Sequence, residues 1–167
     1  MLPETRKLLA LRQMRLTTPD DHIAWAVSML EAGVESKSIC ILAGLSKPLY
    51  ESEVEVYFQR SFREMGWSLP EPEECLRSYV HDVAENIVSS TVPPSEGCRQ
   101  IYRIVKALNY PPDMGDWIQP DMGDWIQLDD ELDAGLSNYR NKDELDKAIR
   151  DEAQAFIQVT DKKVKAV

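Results

Sequence analysis

The stretch Leu76-Arg-Ser-Tyr-Val-His-Asp-Val-Ala-Glu-Asn-Ile-Val88 decides the fold. Leu76, Tyr79, Val80, Val83, Ile87 and Val88 recur at the spacing of one stripe along an α-helix, where a half-buried strand would alternate every second residue. Cys98, Ile101, Tyr102, Val105 and Leu108 repeat the pattern one segment later. Between them, Thr91-Val-Pro-Pro-Ser-Glu96 is a short break with Ser95 placed to cap the second helix. So short a connection predicts an antiparallel pair packed face to face.

Towards the N-terminus the punctuation is again helix, turn, helix. Leu8, Leu9, Leu11 and Leu16 among basic residues predict a helix over Glu4 to Leu16. Thr18 is a natural N-cap, Pro19 suits the first helical position, and Asp20 and Asp21 oppose the positive end of the helix dipole. That second helix carries Ile23, Ala26, Val27 and Leu30 and stops at Gly33. A short third runs from Ser36 to Ala43, before Gly44. A fourth covers Glu51 to Met65, with Gly66 beyond it. Its opening Val54-Glu-Val-Tyr-Phe58 has strand-like character alone, but the wider window has the helical period.

Towards the C-terminus, Trp125, Leu128 and Leu132 stand at helical spacing among aspartates. Asn141 followed by Glu144 resembles a capping box and opens the last helix, with Leu145, Ala148, Ile149 and Phe156 on one face. No segment alternates like a strand bounded by hairpin turns. The expectation is an all-α fold, a compact helical bundle or orthogonal array of about seven to eight helices. It would form one domain over residues 1–160, with a frayed basic tail over 161–167.

Composition suits a globular chain. Of 167 residues, 43% are hydrophobic and 29% charged, so a core can form. No run approaches the roughly 18 apolar residues of a membrane span, and the N-terminus runs into a charged amphipathic stretch unlike a signal peptide. Cys40, Cys75 and Cys98 are odd in number, far apart and set among apolar residues, as buried reduced thiols would be. A cytoplasmic location is expected, and no membrane association.

The net charge of −10 is concentrated. Residues 111–146 hold eleven acidic and two basic side chains, and so nearly all of the imbalance. Such a field repels phosphate backbones, which disfavours nucleic acid, and attracts a basic protein surface.

Inside that segment Pro112-Asp-Met-Gly-Asp-Trp-Ile-Gln119 is repeated unchanged as residues 120–127. Solenoid repeats have periods of about 20–50 residues, so an eight-residue tandem copy reads as a duplication of coding sequence, either natural or artefactual. Pro120 prevents one helix from running through both copies. The second copy leads into Leu128, so the first should loop out with Trp117 and Ile118 at the surface. That loop is either a tolerated insertion or a binding anchor.

Motifs for chemistry are missing. The seven glycines include no phosphate-binding loop, and there is no Cys-x-x-Cys pair. His22, in the first turn of the second helix, reads as solvated, and His81 as paired with Glu85 four residues on. A calcium loop starting at Asp129 fails at Ala134 and Arg140, where it needs Gly and Glu. Neither histidine has Glu three residues before it, as a di-iron bundle requires. No catalytic residue, cofactor or metal is therefore expected.

Trp25-Ala-Val-Ser-Met-Leu-Glu-Ala-Gly33, Ser38-Ile-Cys-Ile-Leu-Ala-Gly-Leu45, the ending Met65-Gly66 and Trp125-Ile-Gln-Leu-Asp-Asp-Glu-Leu132 resemble a group of small helical bacterial proteins of uncharacterised function. The likeness implies an immunity-type inhibitor, and the duplicated octapeptide departs from the pattern. The leading expectation is a non-enzymatic interaction protein. It would meet a basic partner through Asp113, Asp116, Trp117, Asp124, Trp125, Asp129, Asp130 and Asp133. The alternatives are an enzyme using paired carboxylates in a cleft between helices, and a helical-repeat scaffold.

Overall fold

In a computed structural model the described residues are 1–107, 125–134 and 140–165, with side chains as far as Thr160. Eight helices appear among them and no strand. They are α1 Pro3–Gln13, α2 Pro19–Glu31, α3 Lys37–Ala43, α4 Glu51–Glu64, α5 Pro72–Val88, α6 Pro94–Ala107, α7 at 125–133 and α8 Lys142–Lys165. The chain is all-α. It divides into two compact units, Met1–Arg77 and Ser78–Val167, with the boundary inside α5.

The helix ends show how local chemistry sets the boundaries. Thr18 caps α2 reciprocally: its side chain accepts from the Asp21 N–H, and its own N–H donates to the Asp21 carboxylate at 2.7 Å. Asn141 and Glu144 do the same at α8, at 2.9 and 3.0 Å. Four helices end alike. After α2, the Val34 N–H reaches back to the Met29 carbonyl and the Gly33 N–H to Leu30, with Gly33 at φ +76°. Gly66 at φ +68° closes α4 the same way, and Trp67 then packs edge-on against Phe62 at 5.6 Å. At α1 and α5 the left-handed position is filled by Arg15 (φ 55°) and Ser90 (φ 61°), with the same pair of backbone bonds. This is why α1 stops at Gln13, short of the expected Leu16: the turn forms without a glycine to announce it. Likewise α6 begins at Pro94, whose fixed φ suits a first helical position, so Ser95 lies inside the first turn and not at the N-cap position.

In the first unit, α1 and α3 pack on α2, and α4 packs on α2 and α3. The core gathers Leu8, Leu9, Met29, Ile39, Leu42 and Val54 around Trp25, Phe58 and Phe62. Trp25 and Phe58 meet at 5.0 Å and Phe58 and Phe62 at 4.9 Å, in tilted or edge contacts that favour aromatic pairs. The indole of Trp25 is satisfied by Thr5, fully buried, whose Oγ1 accepts from Nε1 at 3.0 Å.

In the second unit α6 packs on α8. Buried side chains come from Tyr79, Val80, Val83 and Ile87 of α5, Ile101 and Val105 of α6, Leu128 of α7, and Leu145, Ile149 and Phe156 of α8. Ile104 is also buried, whereas Tyr102 is half-buried and Val88 exposed, so the stripes lie slightly round from their expected faces. Leu108 is outside the described residues. Gly97 sits where a Cβ would lie 2.4 Å from Ile87 Cγ1, so the first turn of α6 presses directly onto the end of α5. The last helix extends to Lys165, through the first five residues of the segment expected to fray.

Candidate functional site

Of the residues expected to meet a partner, Asp113, Asp116, Trp117 and Asp124 lie outside the described residues, as does the whole first octapeptide copy. The other four stand on α7. Trp125 is 1% exposed and belongs to the core, and its indole N–H has no partner among the described residues. It is therefore no surface anchor. The helical period explains this: Trp125, Leu128 and Asp129 share a face, and the face is turned inward.

Asp129 accordingly is only 5% exposed, and its Oδ1 has no hydrogen-bond partner among the described residues. Burial pushes its carboxyl up, and the charges of Asp133 and Asp130 add to that, against the pull of Arg99 and Arg103. Glu131, on the other side, is also buried; its Oε1 accepts from Gln127 Nε2 at 3.0 Å and its Oε2 lies 3.8 Å from Arg140 Nε. Only Asp130 and Asp133 are exposed, and Asp133 pairs with Arg99 at 3.2 Å. The periodicity that buries Trp125 could have marked Asp129 as its i+4 neighbour.

A cleft of about 380 Å³ is lined by Gln127, Leu128, Arg140, Ala148, Asp151 and Glu152. Its described lining does not include Asp129, so the carboxyl raised by burial on α7 and the cleft are not brought together.

His22 is not solvated. It is 3% exposed, edge-on to Phe58 at 5.4 Å. The Arg12 guanidinium has only donors, so its Nη1, 2.9 Å away, donates to His22 Nε2; the ring proton is then on Nδ1 and donates to the Thr18 carbonyl at 3.0 Å. Arg12 also forks onto Glu55 and lies 4.3 Å over the Phe58 ring. The histidine fills a structural slot among α1, α2 and α4. Sequence spacing missed it because Arg12 and Phe58, which enclose the ring beside the local Thr18 carbonyl, come from other helices.

His81 Nδ1 lies 3.8 Å from Glu85 Oε2, the pairing its spacing suggested. Asp82 joins them: one donor atom from each of the three falls within 4.8 Å of the others. Among the described residues, these are the ones that could hold a metal ion. A search for Cys-x-x-Cys or Glu-x-x-His spacing passes over His-Asp-x-x-Glu.

Of the thiols, Cys75 and Cys98 are buried as expected, and Cys40 is exposed; all are unbridged. Cys40 sits on the outer side of a seven-residue helix whose inner side is taken by Ile39 and Leu42. Burial, with help from the Asp129 charge, pushes the Cys98 thiol up to about 12, so it is an inert core group.

Compared with known protein families, curated proteins and solved structures, the chain matches none of them. No helix among the described residues is long and apolar enough to cross a membrane.

Proposed function

We propose that this protein is a non-enzymatic interaction module, which docks a basic protein partner through its acidic segment from Asp113 to Asp133. The observation that carries the reading is the density of charge, with eleven acidic side chains against two basic over residues 111–146. A field of that sign speeds encounter with a basic surface and turns away nucleic acid. An immunity-type inhibitor is the narrower form of the proposal, and the unbridged cysteines favour a reducing, cytoplasmic setting. Exposed Asp130 and Asp133 would contribute to the contact directly, with Trp125 and Asp129 supporting the helix from within.

The test is capture from source-cell lysate at low and high salt, comparing wild type with Asp130→Asn/Asp133→Asn. A basic protein held by wild type at low salt, and lost from the variant or at high salt, supports the proposal. An unchanged set of captured proteins overturns it.

A further inference from the structure

We propose that His81, Asp82 and Glu85 form a binding site for a first-row divalent transition-metal ion, with Zn²⁺ as its representative. The three are neighbours on a formed helix: Glu85 lies four residues from His81 and three from Asp82, the two spacings that place side chains next to each other on α5. Their donor atoms already lie within 4.8 Å of one another, and the His81 Nδ1–Glu85 Oε2 separation is 3.8 Å. Zinc held tetrahedrally at about 2.0–2.2 Å needs donors roughly 3.4 Å apart, so small side-chain rotations suffice. The Glu85 side chain is 58% exposed and has room to swing, while His81, at 24%, is held closer to the surface of the helix.

The donor set selects the ion. One imidazole with two carboxylates suits zinc and its neighbours, whereas magnesium and calcium take oxygen ligands alone. Two carboxylate charges beside the ring balance a dication. With three protein ligands, a fourth position is left to water or an incoming ligand, the arrangement of an open site. All three residues come from one helix of one unit, so the site needs no other element to assemble.

The test uses the full chain, stripped with chelator, then titrated with Zn²⁺ by calorimetry and with Co²⁺ by visible absorption. Wild type should bind one equivalent at this site, with a cobalt d–d band, and melt at a higher temperature in Zn²⁺. His81→Ala and Glu85→Gln should each weaken that binding by at least about tenfold and abolish the thermal shift. Asp130→Asn, on α7, should change neither. Glu85→Gln is a substitution at an exposed position, so it reports even if His81→Ala fails to fold. Absence of saturable one-equivalent binding to wild type, or its retention in Glu85→Gln, overturns the proposal.

Discussion

The Arg12 guanidinium and the Glu55 carboxylate meet as two parallel forks, Nη1 on Oε2 and Nη2 on Oε1 at 2.8 Å, joining α1 to α4. Gln59 adds a third donor to Glu55 at 2.6 Å. The Arg12 hydrogen bonds hold the Glu55 carboxyl below its ordinary range, outweighing the opposing effect of partial burial. A carboxyl depressed in the folded state adds stability above its unfolded pKa and loses it as pH falls through the folded value. Glu55→Gln should therefore cost about 1–3 kcal/mol at neutral pH, the usual scale for charged hydrogen bonds. The gap between wild type and variant should close in acid. Urea denaturation at pH 7 and pH 3 checks both.

The four similar helix ends allow a paired test. Gly33 has open space where a Cβ would go, so Gly33→Ala costs only the left-handed backbone strain, about 1 kcal/mol. Ser90 already bears that strain, and Ser90→Gly should relieve it by a similar or smaller amount. Thermal melts should move in opposite directions, by about 2–4 °C per kcal/mol at this chain length.

Asp129 and Asp130 are adjacent, yet the first is buried and the second exposed. A carboxyl raised by burial favours the folded state most at low pH, and that contribution is lost as pH rises through the folded value. Asp129→Asn should thus stabilise the protein at neutral pH and do less in acid. Asp130→Asn, at an exposed position, should stay within about 0.5 kcal/mol of wild type. Denaturation midpoints of both variants at pH 7 and pH 4 decide it. No gain for Asp129→Asn at pH 7 would refute the account of its burial.

The helices and most of their ends were legible because they depend on neighbours within four residues: Thr18 with Asp21, Asn141 with Glu144, Gly33 and Gly66 past their helices. Where a residue without the usual signal does the same task, as Arg15 does at the end of α1, the boundary moved. The candidate site was less legible. Trp125 and Asp129 were recognised as aromatic and acidic, but not as buried. The three donors on α5 are spaced His-Asp-x-x-Glu, which matches neither Cys-x-x-Cys nor Glu-x-x-His, and only the formed helix brings their donor atoms together.

The sequence by itself determined an all-helical chain, the caps that start α2 and α8, and an acidic charge packed into residues 111–146. All three depend on composition and short-range spacing. Tertiary structure decided that His22 is enclosed by Arg12, Thr18 and Phe58, that Cys40 faces outward, and that Asp129 is buried while Asp130 is exposed. Burial is a property of what packs over a side chain, and part of the cover comes from other helices, as Phe58 of α4 does for His22, so local pattern could not supply it.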